Sequence, residues 1–186
     1  MCNAPPIELT SGGNLRVLIR TSLGDIEVEV CPDKAPITSE NFLRYVDDKL
    51  YDGTAFFRTV TMENQPNSEV KIEVIQGGTM PKDRAYPSTY PPIEHETTEK
   101  TGLRHVDGAI SMPTMKPGTA TSSFFICIGD QPELDYGGNR NPDGEGFAAF
   151  GRVTEGMDVV REIHKQPCEG QRLEPTIEIL TVRRAS

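Results

Sequence analysis

The sequence predicts a mainly β protein: an antiparallel barrel of about eight strands with two helices covering its ends. Three observations carry this. Short β-forming runs recur along the whole chain, with turn residues between them. Only two stretches have helical periodicity, and they lie too far apart to alternate with strands in a parallel α/β scheme. Gly (17) and Pro (15) are plentiful among the 186 residues, as expected for strands joined by long loops.

Residues 1–14 form a leader of small and polar residues, and residues 15–186 a single domain. Leu15 to Arg20 is the first strand. After the turn at Leu23-Gly24-Asp25 comes a strict alternation, with Ile26, Val28 and Val30 on one side and Asp25, Glu27 and Glu29 on the other. Period two with one apolar side makes a half-buried strand, so the pair is a hairpin. Pro32 to Pro36 breaks it. A helix then runs to about Lys49, capped by Thr38 or Ser39, with Phe42, Val46 and Leu50 as its apolar stripe. Strands follow near 55–60 and 71–76, separated by a polar surface loop from Thr61 to Val70. The prolines of 79–92 exclude helix and central strand there. Further strands are expected at Ile93 to Thr97, Gly108 to Met112, Phe124 to Ile128, Phe147 to Val153 and Thr176 to Arg183, and a second helix at 157–165.

A net charge of −9 argues against non-specific nucleic-acid binding. No apolar run approaches membrane-spanning length. Of the four cysteines, none forms a CxxC pair; Cys127, inside Phe124 to Ile128, reads as a buried small hydrophobe, and a disulfide between two of Cys2, Cys31 and Cys168 stays open. Cys2 followed by a polar, Pro-containing segment fits two starts equally. One is the trimmed start of a bacterial lipoprotein, in the periplasm or cell envelope; the other is an ordinary cytoplasmic one.

Most catalytic constellations are excluded. His95, His105 and His164 lack metal-ligand spacing. The run Asn139-x-Asn141-x-Asp143-Gly144 resembles the front of a calcium loop, but Phe150 stands where the bidentate Glu belongs. Ser122 and Ser123 have no nucleophile-elbow context, and Gly77-Gly78 no P-loop lysine. What stands out is Arg58 in the apolar run Phe56 to Val60, and Gln76 ending the run Val74-Ile75 before Gly77-Gly78. If these runs pair, Arg58 and Gln76 project from one sheet face. The alternative is an ion pair of Arg58 with Glu63 or Glu73 at a sheet edge. An arginine and a glutamine among apolar residues, without acid–base or covalent apparatus, suit a reaction needing only binding and one hydrogen-bond donor.

An ordered set of segments resembles the cyclophilins, the peptidyl-prolyl cis–trans isomerases. The segments are Ala35-Pro36 through Glu40-Asn41-Phe42, Tyr51-Asp52-Gly53-Thr54, Phe56-Phe57-Arg58, Ile75-Gln76-Gly77-Gly78, Gly108-Ala109-Ile110-Ser111-Met112, Ser123-Phe124-Phe125-Ile126, Leu134-Asp135, and Phe150-Gly151-Arg152-Val153 before Glu155-Gly156-Met157. Tyr136 to Gly144 is similar to the long-loop bacterial branch. The resemblance implies a closed eight-stranded antiparallel barrel capped by two helices, with a substrate groove on its outer face. It implies isomerisation of X–Pro bonds in proline-containing polypeptides, without a cofactor or metal, by a monomer. Arg58 matches the catalytic arginine, Gln76 the groove glutamine, Phe125 the floor of the proline pocket and Leu134 its wall.

The chain departs from the family pattern at several of these places. Val74 stands for a pocket methionine, and Phe147 for a pocket histidine. Pro113-Thr114-Met115 replaces the segment with a backbone-binding asparagine, and Ser123 replaces a second glutamine. There is no tryptophan, Glu133 being nearest in alignment, which implies weak cyclosporin binding. Residues 61–70 are an insertion. These losses leave a second reading, a binding module of the same fold with little catalysis. A hydrolase on such a barrel would need an acid–base pair that the sequence lacks.

Overall fold

In the computed structural model, residues 13–79 and 89–186 are described. Most of the expected leader therefore lies outside the described residues. The alternation read at the start of the domain forms the hairpin of β1 (Leu15–Thr21) and β2 (Gly24–Val30), paired from Leu15 opposite Val30 to Thr21 opposite Gly24. Its apolar side, Val17, Ile19, Ile26, Val28 and Val30, is fully buried.

The remaining strands are β3 (Ala55–Val60), β4 (Val74–Gly78), β5 (Ala109–Met112), β6 (Phe124–Cys127), β7 (Ala148–Glu155), the two-residue β8 (Cys168–Glu169) and β9 (Arg172–Ala185). Hydrogen bonds run in the order β1-β2-β7-β5-β6-β4-β3-β9, and β9 returns to β1. Eight antiparallel strands thus close a barrel without a free edge; β8 is a short hairpin arm on β9. Two helices were expected, and three form among the described residues: α1 (Pro36–Asp47), the one-turn α2 (Thr98–Thr101) and α3 (Met157–His164).

Aromatic rings fill the barrel. Phe42 of α1 meets Tyr51, Phe124 and Phe150 at ring-centroid distances of 5.4, 5.7 and 5.1 Å, and Phe56 meets Phe124 edge-on at 5.8 Å. Such tilted and edge contacts suit the ring quadrupole and add to area burial.

Several local expectations need correction. Thr38 and Ser39 do not cap α1. The helix opens at Pro36, a ring already set to helical φ, and the preceding Ala35 makes no side-chain cap. The cap comes from far away: the Glu96 carboxylate accepts both the Thr38 backbone N–H and its hydroxyl at 2.7 Å. This also explains why Ile93 to Thr97 is not a strand. It makes one isolated bridge, Ile93 to Ala120, and is then drawn over the end of α1 by Glu96. The segment Thr61 to Val70 is not purely a surface loop. Gln65 is buried in it, its amide bonding Thr61 O, Ile72 O and the Ile72 N–H. Cys127 is fully buried and free, Cys168 is exposed and free, and Cys31 is disulfide-bonded.

A bulge in β3 matters most for function. Phe56 lies opposite Gly77 and Arg58 opposite Gln76, so two steps along β3 answer one step along β4. Phe57 is the extra residue. Side chains alternate sides along a regular strand, so with Phe57 paired in the ladder Arg58 would share the interior face of Phe56. The bulge keeps Phe56 inside and turns Arg58 outward beside Gln76. Gly77 makes this pairing fit, because a Cβ there would stand 2.7 Å from Phe56 Cδ1.

Candidate active site

Strand alternation gives the barrel wall two apolar faces. On β6, Phe124 and Ile126 enter the interior, while Phe125 and Cys127 join a second, smaller cluster outside with Val60, Ile72, Val74, Ala109 and Leu134. That is why β6 is an unbroken apolar run instead of an alternating one. Phe147 packs against this outer cluster, which floors a pocket of about 210 Å³.

Seven of the residues singled out in the sequence line this one pocket: Arg58, Gln76, Val74, Phe125, Leu134, Phe147 and Thr114. Two do not. Met115 is 85% exposed, and Ser123 turns its hydroxyl to the Thr79 carbonyl at 3.2 Å. Phe125 is the floor, stacked on the His105 ring at 5.9 Å and 12°, with Phe147 edge-on to it at 5.7 Å. Thr114 Oγ1 is buried and has no partner among the described residues.

Arg58 is half-buried and has no carboxylate within 4.0 Å among the described residues. The ion pair with Glu63 or Glu73 does not form; Glu73 instead lies 3.6 Å from His164. Two glutamines hold the guanidinium. Nη1 donates to Gln76 Oε1 at 3.0 Å, and Nε and Nη2 donate to Gln171 Oε1 at 3.0 and 2.7 Å. A guanidinium cannot accept, so it fixes the orientation of both amides: oxygens toward Arg58, NH₂ groups away. The Gln76 NH₂ has no acceptor among the described residues and faces the pocket as a donor pair. Three of the five guanidinium N–H groups are used, and two stay available to a ligand. Burial lowers the Arg58 pKa, and the nearby charge of Arg140 adds to this.

Three residues here escaped the sequence reading. Gln171, in the β8–β9 turn, lies 113 positions from Arg58, and no local pattern links them. The sequence presents His105 only as a candidate metal ligand without ligand spacing. It is fully buried beneath Phe125, with Nδ1 at 2.7 Å from Asp135 Oδ1 and Nε2 at 2.8 Å from Ser111 Oγ. The carboxylate only accepts, which places a proton on Nδ1 and fixes the ring. Asp135 also accepts the His105 backbone N–H at 2.9 Å, so the segment carrying Leu134 is tied to the support of the floor. The one available signal was Asp135 itself, next to Leu134 in a matched segment. Arg140 is the third, in the long loop after Leu134.

Gln171 is a positioning residue for Arg58. We expect Gln171→Ala to lower kcat about three- to tenfold with KM nearly unchanged, because a guanidinium free to rotate is less often aimed at the reacting atoms. Steady-state isomerisation kinetics separate this from a merely structural loss, which would move KM and stability together.

A closed antiparallel barrel with an outer apolar pocket beneath a fixed, unpaired guanidinium defines a class: proteins that grip an apolar ring and offer one charged donor to the bond beside it. Comparison with known proteins gives the class its family. The family model "Cyclophilin type peptidyl-prolyl cis-trans isomerase/CLD" matches residues 16–184, and the chain belongs to this family of isomerases. It is 37% identical over 155 residues to a peptidyl-prolyl cis-trans isomerase of Acinetobacter baylyi, covering 83% of this chain and 74% of that protein. It is 40% identical over 148 residues to the isomerase cyp18 of Streptomyces antibioticus, covering 79% and 81%. The fold is also that of a cyclophilin-type isomerase of Cryptosporidium parvum, with TM-score 0.72, 21% identity and coverage of 93% and 98%. A second structure of that protein was solved in the presence of the dipeptide Ala-Pro, with TM-score 0.71 and 22% identity.

Proposed function

We propose that the chain accelerates X–Pro rotation with Arg58 as the catalytic donor and the Phe125 pocket as the grip on the prolyl ring. Rotation breaks amide resonance and meets a barrier of ~18–20 kcal/mol. Uncatalysed, it takes on the order of tens to hundreds of seconds. In the planar ground state the prolyl nitrogen lone pair is delocalised and a poor acceptor. In the twisted state it localises. An N–H of Arg58 aimed there stabilises only the transition state, which is the kind of interaction that raises kcat.

The apolar wall of Val74, Phe125, Leu134 and Phe147 holds the ring still. The free NH₂ of Gln76 and the unpartnered Thr114 hydroxyl are suited to bonding the substrate backbone, so that one side of the bond is fixed while the other turns. The observation carrying this reading is the Arg58 guanidinium, half-buried at the pocket, held by two neutral amides and opposed by no acid among the described residues.

Exchange NMR on a short Ala-Pro peptide tests it. We expect catalytic amounts of the protein to broaden and average the cis and trans signals. Peptide binding without faster exchange would favour the binding-module reading.

The missing tryptophan bears on cyclosporin. Glu133 follows Pro132 in a 3-10 turn, and its carboxylate accepts the Asn139 N–H at 2.7 Å. It supplies neither an indole N–H nor a ring face. We expect cyclosporin to bind markedly more weakly than to a tryptophan-bearing member, and a fluorescence or calorimetric titration of both proteins would decide it.

A further inference from the structure

The pocket wall carries a second guanidinium that the proposed chemistry does not use. Arg140 reaches across from the long loop after Leu134. Its Nη1 lies 3.1 Å from Gln65 Oε1, 3.0 Å from Ser68 Oγ and 2.7 Å from Val70 O. These acceptors belong to residues 61–70, so Arg140 joins the long loop and that segment into one piece of wall. Its remaining N–H groups, on Nε and Nη2, have no acceptor among the described residues, and no carboxylate lies within 4.0 Å of it there.

With net charge −9, most arginines have an acid at hand, and Arg16, Arg20, Arg152, Arg161, Arg172, Arg183 and Arg184 are all paired. Among the described residues Arg44, Arg58, Arg104 and Arg140 have no acid within 4.0 Å; Arg44 lies over the Tyr90 ring, and Arg58 and Arg140 line the same pocket. They are close enough for the charge of Arg140 to lower the pKa of Arg58, and burial lowers that of Arg140 as well. Two partly desolvated like charges raise each other's free energy, and an anion between or beside them relieves it. The three contacts on Nη1 hold the Arg140 fork in place, so its free edge is presented in a fixed direction, which favours a planar, bidentate acceptor.

We infer that Arg140 makes the groove selective for X–Pro segments that carry a carboxylate side chain on a residue next to the proline. The inference rests on the isomerase reading of the same pocket and adds a substrate class to it. A neutral segment fills the apolar pocket and meets Arg58. An acidic one also neutralises Arg140.

The test compares peptides that differ only in Glu or Gln immediately before or immediately after the proline, with Lys as a third arm. Catalysed exchange is read by NMR, which needs no coupling protease. We expect kcat/KM to favour Glu over Gln about five- to tenfold at one of the two positions, and Lys to be the slowest there. The ratio should shrink as ionic strength rises, because the Arg140 fork is half-exposed. In Arg140→Gln the Glu/Gln ratio should fall to about one, and in Arg140→Lys part of it should survive, since charge remains and the fork does not. The readout is the ratio within each protein, so a general loss of rate from loosening residues 61–70 does not imitate it. Turnover of the Gln peptides with no preference for Glu at either position, or a preference that persists in Arg140→Gln, overturns the inference. No catalysis of any peptide overturns the isomerase reading itself.

Discussion

Arg58→Ala lowers kcat/KM by about 10²–10³, the scale for losing one donor aimed at a transition state. Arg58→Lys restores little of it. A flexible ammonium cannot reproduce a fork clasped at once by Gln76 and Gln171. The rate is flat from about pH 6 to 8, because a guanidinium stays protonated there even with its pKa lowered by burial. Read from the sequence as an exposed groove charge, Arg58 would contribute little to stability. The structure places it half-buried with three hydrogen bonds, so its removal costs about 1 kcal/mol, limited because both glutamines are themselves half-exposed and can turn to water. A largely unfolded Arg58→Ala protein, or a folded one with near-normal isomerase activity, would return Arg58 to a structural role.

Phe125→Ala has the second largest effect, and it falls on both stability and activity. The ring is 4% exposed and sits between His105 and Phe147. Core Phe→Ala substitutions cost about 3–5 kcal/mol, which in a domain of this length lowers Tm by on the order of 6–20 °C. The loss also removes the floor of the pocket, so KM should rise together with the fall in Tm. Phe125→Leu separates the two effects. It keeps most of the apolar volume and the fold, but gives the prolyl ring a less flat surface and His105 no ring to stack on. Calorimetry alongside exchange kinetics reads both. Unchanged melting and unchanged activity in Phe125→Ala would show that the residue is neither core nor pocket.

What the sequence made legible follows from how far each signal reaches. The hairpin of β1 and β2 is written in adjacent residues, and its strict alternation could be read directly. The stripe of α1 is equally local. The meeting of Arg58 with Gln76 needed only two neighbouring strands to pair. The cap on α1 did not show, because Glu96 lies 58 residues from Thr38 and a hydroxyl nearer by looked sufficient. Gln171 and Arg140 were hidden for the same reason. Each acts across 70 or more positions, through a side chain whose type has many ordinary surface uses. The pocket residues that departed from the family pattern were located by resemblance, and only their geometry separated the seven that line the pocket from Met115 and Ser123.

The bulge at Phe57 gives β3 a parity. Count the residues from Phe56 to Arg58 as even, and the arginine belongs to the interior; skip one, and it belongs to the groove. The same six residues of β3 thus encode two different proteins, told apart by whether one residue is left out of the pairing ladder. Pairing Phe57 into the ladder would carry every later residue across the sheet, Arg58 inward and Thr59 and Val60 onto exchanged sides, whereas deleting Phe57 would remove the bulge and leave those sides unchanged. Family segments grafted into another barrel would inherit this condition: Phe56-Phe57-Arg58 delivers a guanidinium to a groove only where the facing strand offers Gln76-Gly77, with the bare glycine beside the inward ring. The chemistry at the surface therefore depends on a vacancy for a side chain on the opposite face of the wall.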